Sequence, residues 1–354
     1  MVVGGSPPLA LGRGCPVRGS IRVTCPHKRR GCSGASAAPT LPRPRTTLPV
    51  ATVPGLLAKK RRGVPHMTEK NHEGSSASAD EPVVQLLSAQ FDAVVALANE
   101  IPDADWDRET DLPGWTVQDC FSHMIGVERQ MLGLGEDSPP VAHLAHVDDD
   151  FSAMVEAPVE LRRNHTPTQI RAELAETLAN RRQALEELGP DGFDAESWTP
   201  AGPGTYRDFM LIRVFDLWMH EQDVRHGLDL PGHLAGPVVE SVLRHNVAKA
   251  LPMIVGKRAA APAGATVVVN LTGPTEATFA VEVREVSGKK RASLADSTPH
   301  APTTSIHIDV DTFMRLCGGR VDTEAAIGAN PTAVSFVGDD VLGRAIVNTL
   351  SFTP

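Results

Sequence analysis

Arg213-Val-Phe-Asp-Leu-Trp-Met-His-Glu-Gln-Asp-Val-Arg225 is the stretch on which the reading of this chain turns. It has the composition of a helix and sets Asp216, His220 and Asp223 at steps of four and three. Those steps bring the three side chains onto one helical face. Traced backwards, the same face carries Ile212 and Phe209, residues of core type. A stripe that begins apolar therefore turns acidic and imidazole-bearing halfway along. Burying such groups is costly unless they are paired or bind a metal.

The partners of this face come from the preceding residues. Val83, Leu86, Leu87, Phe91, Val94, Val95 and Leu97 predict a first helix over residues 82–101, with Asp80 as its cap. Asp111-Leu-Pro-Gly-Trp-Thr-Val-Gln-Asp119 reads as a turn at Pro113-Gly114 and a helix start capped by Thr116. The second helix, residues 117–132, has an inner face of Val117, Cys120, Met124, Val127 and Met131. His123 shares that face and points inward; taken alone, it reads as a core histidine held by a hydrogen bond in preference to a ligand. Residues 135–165 read as a long polar connection. Within it, Asp148-Asp149-Asp150 with His143 and His146 reads as a solvated acidic loop in preference to a metal site.

Thr166-Pro-Thr-Gln169 is a capping box that opens a third helix, which Gly189-Pro190 ends. Residues 191–205 read as an irregular crossing, and the fourth helix, residues 206–227, contains the opening stretch. Helices so connected form a four-helix bundle, in whose core facing helices can build a metal site. A fifth helix is expected over residues 237–255. Strands are expected at 265–272, 277–284 and 305–310, with a short helix capped by Asp311 and a last helix at 338–348. The fold class is thus mainly α with an α+β C-terminal domain: a helical bundle over residues 81–232 and a small α+β domain over 233–354.

Residues 1–66 contain twelve Lys or Arg and no Asp or Glu, which leaves 22 basic against 43 acidic residues in the remainder. The body is acidic, and the whole chain carries a net charge of -9. That balance argues against a nucleic-acid-binding surface. The Pro-, Gly- and Arg-rich leader shows no lasting periodicity. Residues 1–80 are read as a disordered or over-extended start, with Met67 the true initiator; a transit peptide is the alternative. Cys25, His27 and Cys32 in the leader fit no zinc spacing. Cys120 and Cys317 do not make a disulfide framework, which suits a reducing cytoplasm. No run of 18 apolar residues occurs, so no membrane span is expected.

His123 with Asp216 and His220 makes a facial set of two nitrogens and one oxygen that leaves coordination positions open. Such ligands suit Zn, Ni, Fe or Mn. The competing reading pairs Asp216 with Arg213 or Arg225 and makes His220 a packing residue. Asp223 is placed to orient a ligand histidine. Glu221 lies off the face, exposed or bound to the next loop. Arg225 and His226 complement the helix C-terminus or hold a substrate anion.

Leu112-Pro-Gly-Trp-Thr-Val-Gln-Asp119 followed by Phe121-Ser-His-Met-Ile-Gly-Val-Glu128 resembles the N-terminal metal-binding domain of the mycothiol-dependent maleylpyruvate isomerase family, within the wider DinB-like bundle superfamily. Asp216-Leu-Trp-Met-His-Glu-Gln-Asp-Val-Arg225 is similar to that family's second signature, and the resemblance covers residues 82–232. Asp311-Thr-Phe-Met-Arg-Leu-Cys-Gly-Gly-Arg320 is similar to its smaller sterol-carrier-type domain. The resemblance implies a divalent metal, usually zinc, on His123, Asp216 and His220, with Asp where the isomerase has Glu. It also implies mycothiol as the thiol cofactor. A metal-bound thiolate would then add to a small electrophile, as an S-transferase or as a cis-trans isomerase of maleylpyruvate type. Arg225 and Arg320 become candidates to hold substrate carboxylates. The expected protein is a cytoplasmic monomer or homodimer with no nucleic-acid or membrane partner. Two other classes compete: a non-catalytic binder of small ligands, and a hydrolase using a metal-bound water.

Overall fold

Three threonines fix where three of the helices begin. In a computed structural model, which describes residues 81–353 except 138 and 330–331, Thr116, Thr166 and Thr205 each accept from the backbone N–H three residues on. The side chains of Asp119, Gln169 and Asp208 return the bond to the threonine N–H. These reciprocal caps open α2 (Val117–Met131), α4 (Pro167–Glu186) and α6 (Tyr206–Gly227). The remaining early helix is α1 (Pro82–Glu100). The expected leader, residues 1–80, and the cap at Asp80 lie outside the described residues.

α1 packs on α4 and α6, and α2 on α4 and α6, so four long helices share one core. Leu87, Phe91, Val94, Phe121, Met124, Ile125, Leu174, Leu178, Val214 and Leu217 are all buried there. Each such side chain stabilises the fold by roughly 1.5–3 kcal/mol relative to exposure. Among the described residues α1 alone is long and apolar enough, by length and composition, to cross a membrane. Its Val83, Leu87, Phe91, Val94 and Leu97 are instead turned into this core.

The expected polar connection 135–165 is corrected in part: it contains a further helix, α3 (Asp150–Arg162), lying against α2. Asp149 caps it, so the acidic run is a helix start rather than a loop. α3 carries Pro158 inside it and buries Glu156 and Arg162, which is why no apolar stripe announced it. Arg162 is satisfied by Glu136 and Glu173. α2 and α3 approach closely because Gly126 faces Pro158; a Cβ there would lie 2.3 Å from the Pro158 Cβ. The expected irregular crossing 191–205 holds the one-turn α5 (Pro190–Phe193) and a hairpin of β1 (Glu196–Thr199) and β2 (Gly202–Thr205).

After α6 come α7 (Pro237–Val242) and α8 (Ala248–Met253), joined and followed by wider helical turns over Leu243–Val247 and Ile254–Arg258. The helical run thus ends at 258 rather than 255. A five-stranded mixed sheet follows, in the order β5-β4-β3-β6-β7. Its strands are β3 (Thr266–Thr272), β4 (Ala277–Val286), β5 (Lys289–Leu294), β6 (Thr304–Asp309) and β7 (Val334–Gly338). β3 and β6 are parallel and the other pairs antiparallel. Consecutive Val267, Val268 and Val269 of the central strand are all buried, as a strand covered on both faces requires. α9 (Val310–Cys317), α10 (Thr323–Ala329) and α11 (Asp340–Val347) complete the region. β5, α10 and β7 were not expected. Asp309, not Asp311, caps α9. A helical region followed by a mixed-sheet region is the architecture the residues predicted at coarse grain.

Candidate metal centre

α2 and α6 bring His123, Asp216 and His220 together. One ligand atom from each lies within 4.8 Å of the others. His123 Nε2 is 3.4 Å from Asp216 Oδ2, and His220 Nε2 is 3.9 Å from Asp216 Oδ1. The two imidazole rings meet edge to face with centroids 4.5 Å apart. The histidine side chains are 5% and 9% exposed, and that of Asp216 is 31% exposed, so the cluster opens to solvent on the carboxylate side.

The core-histidine reading of His123 required a hydrogen bond, and none forms. Both its ring nitrogens are buried without a hydrogen-bond partner; the 3.4 Å approach to Asp216 is not aligned as one. Burial, and then the neighbouring His220, push its pKa below the ordinary histidine value, which favours the neutral, lone-pair-bearing ring. Asp216 does have the arginine partner of the competing reading: Arg213 Nη1 donates to Oδ2 at 2.5 Å. Burial works against its charge. Arg213, and then the rings of His123 and His220, outweigh that and hold the carboxyl well below the usual range.

Asp223 lies one turn beyond His220, with Oδ2 3.0 Å from Nδ1 of that ring. It is fully buried, and Arg320 meets it with two donors, Nε to Oδ1 and Nη2 to Oδ2, each at 2.9 Å. Burial alone would raise this carboxyl; the arginine, then the His220 contact, bring it down to about 2. Arg320 arrives on the turn after α9, where Gly318 passes so close to α6 that a Cβ would lie 2.6 Å from the Met219 Cε.

Trp115, from the Leu112-Pro-Gly-Trp turn, covers both histidines, with ring centroids 5.2 Å from His123 and 5.6 Å from His220. Its indole N–H donates to the buried Glu156 at 2.7 Å. Gly114 makes the turn possible, having a φ of +79° and a Cβ position 2.6 Å from His146 Nδ1. The sequence marked this stretch as a turn; the indole as a cover was missed. Behind Asp216, Arg213 also donates to Glu128, which Arg181 holds from α4. Nothing in the spacing singled out Glu128 or Arg181.

Other candidates sit elsewhere. Arg225 donates to Glu221 and to the Pro231 carbonyl. Glu221 is not exposed; it is fully buried and takes Gln90, Arg225 and, from the next loop, His233. His226 meets Asp311 of α9 at 3.0 Å. Cys120 also lies near His220 and Asp223, but burial pushes its thiol well above the ordinary value and Arg320 occupies both Asp223 oxygens.

The donor set fits a divalent ion of borderline softness: two imidazoles and one carboxylate, with His123 Nε2 buried, unpartnered and facing the carboxylate. Residues 87–225, a span that includes all three, match the family model of the mycothiol maleylpyruvate isomerase N-terminal domain. A comparison with curated proteins finds no match. Among solved structures, a histidine-to-alanine mutant of the mycothiol-dependent maleylpyruvate isomerase aligns with 16% identity and a TM-score of 0.45. That alignment covers 72% of this chain and 92% of the other. A second structure of the mycothiol-dependent maleylpyruvate isomerase aligns with 17% identity and a TM-score of 0.42, over 68% and 89% of the two chains.

Proposed function

We propose that this chain, whose residues 87–225 belong to the mycothiol maleylpyruvate isomerase N-terminal domain family, is a metal- and mycothiol-dependent enzyme that adds a thiol to a small electrophile. On this reading residues 81–232 are the DinB-like bundle, and residues 233–354 are the smaller sterol-carrier-type domain that lends Arg320. His123, Asp216 and His220 would hold the ion, zinc by family resemblance. Bound there, a divalent ion would lower the pKa of a coordinated thiol so that thiolate exists at neutral pH.

The observation that carries the reading is His123: a buried imidazole with two unpartnered nitrogens, beside a second imidazole and a carboxylate. The chain's own residues prepare the rest. Asp223 accepts a hydrogen bond from His220 Nδ1–H and so leaves the Nε2 lone pair on the side of Asp216. Arg320 keeps Asp223 in place and ionised. Trp115 shields the rings from water on one side, while the partly exposed Asp216 marks the side from which thiol and substrate enter. Release of the thiol adduct would make the reaction an S-transfer; addition, bond rotation and elimination would make it a cis-trans isomerisation.

The test combines metal analysis and turnover. Purified protein should hold stoichiometric metal that His123→Ala and His220→Ala lose. Turnover of maleylpyruvate or of a chromogenic electrophile should require mycothiol. Metal that survives both substitutions sinks the ligand assignment. Activity that ignores the thiol points to a hydrolase, and inactivity throughout points to a binding protein.

A further inference from the structure

Beyond the proposed ligands, α2, α4 and α6 bury a chain of charges that ends on Asp216. Glu128 is 1% exposed, Arg181 2% and Arg213 4%. Glu128 Oε1 accepts from Arg213 Nε at 3.0 Å and Nη2 at 2.8 Å, and Oε2 accepts from Arg181 Nε at 2.9 Å. Arg181 Nη2 also donates to the Tyr206 hydroxyl at 2.6 Å. The guanidinium of Arg213 therefore has two donors fixed on Glu128 and a third, Nη1, aimed at Asp216 Oδ2.

Stability does not account for such an array. Removing three charges from water costs about as much as their mutual attraction returns, and apolar replacements of similar volume often fold as well or better. What an apolar replacement could not do is direct an N–H at one chosen oxygen of Asp216. With Oδ2 committed to Arg213, the carboxylate cannot rotate freely, and Oδ1 remains on the His220 side. Asp216 is the most exposed of the three proposed ligands, so it has the least packing of its own to orient it.

We propose that Arg213, anchored by Glu128 and Arg181, is a positioning residue that fixes the orientation of Asp216 toward the ion held with His123 and His220. This rests on the metal-centre reading above. Arg213 acts through Asp216 and does not itself hold the ion.

Co(II), which suits the same donors and reports their geometry by its visible absorption, is the probe. Its affinity is measured by chelator competition in wild type, Arg213→Lys, and the apolar triple variant Glu128→Met, Arg181→Met, Arg213→Met. Thermal unfolding of each apo protein is followed in parallel. The expected result is a folded triple variant that binds Co(II) about 10–100-fold more weakly, with an altered visible band. Arg213→Lys keeps the charge but not the rigid fork and should fall between. Wild-type Co(II) affinity and spectrum in either variant overturns the positioning role while leaving the three ligands standing. Should the triple variant fail to fold, Arg213→Lys alone decides. A wild-type protein that binds no Co(II) overturns the metal centre itself, and this role with it.

Discussion

Arg320 meets Asp223 in a two-bond fork, Nε to Oδ1 and Nη2 to Oδ2, both 2.9 Å. The fork joins the turn after α9 to the C-terminal part of α6, and Asp223 in turn touches His220. The sheet region thus reaches the candidate centre through one carboxylate. Arg320→Met leaves a buried charge unpaired, at a cost of about 3–5 kcal/mol. The cost has a pH signature. The folded pKa of Asp223, about 2, lies below the ordinary 3.8. Its contribution is therefore full above pH 4 and lost as pH falls towards 2. Urea unfolding of wild type and Arg320→Met should differ most at neutral pH, and the difference should shrink through that window. A gap that stays constant to pH 2 would show that the fork is not its source.

Trp115 supplies a second check because its two roles separate. Trp115→Ala opens a cavity over His123 and His220 and should cost about 3–5 kcal/mol. Trp115→Phe keeps a ring over the histidines but leaves Glu156 without the indole N–H, for about 1–3 kcal/mol. Chemical denaturation should rank them in that order. Turnover should follow the ring and not the N–H, with the phenylalanine variant the more active of the two.

The helices of the bundle were legible because their apolar residues recur with helical period, and α6 was found at its full length, residues 206–227. The same period made His123, Asp216 and His220 visible as one inward-facing group. α3 was not legible because it turns Glu156 and Arg162 inward and carries Pro158, so burial and polarity are inverted there. Pro203 and two glycines hid the hairpin that precedes α6. β5 was hidden by Lys289-Lys-Arg-Ala-Ser-Leu294, which has no apolar alternation because the strand lies exposed at a sheet edge. Trp115, Glu128, Arg181 and Arg320 act across elements far apart in sequence, and no local period encodes such a meeting.

The α2–α3 contact predicts an outcome that sequence would reverse. Ala is a better helix former than Gly, so Gly126→Ala should stabilise an isolated α2. Here the added Cβ would lie 2.3 Å from the Pro158 Cβ, and a proline ring in a helix cannot swing aside. The helices must separate, at a cost of about 1–3 kcal/mol. Thermal unfolding should show a lowered midpoint. A raised midpoint would mean that α3 is free to move off α2.

Removal of the ion is the last check, and it turns on the unpartnered state of His123. A chelator-treated protein keeps two buried, unsatisfied ring nitrogens at this residue. His123→Ala deletes them, and the cavity it leaves offsets the gain. Apo wild type and apo His123→Ala should therefore unfold within about 1 kcal/mol of each other, since no hydrogen bond is lost. Zinc should then divide them. At a free concentration about a hundredfold above its Kd, the ion adds about 2.7 kcal/mol to the wild type. At about 2–4 °C per kcal/mol, that is a clear upward shift of its midpoint. His123→Ala should show little shift at the same concentration. Equal shifts in both proteins would place the zinc on other residues, and a large apo difference would mean that His123 serves the fold before it serves an ion.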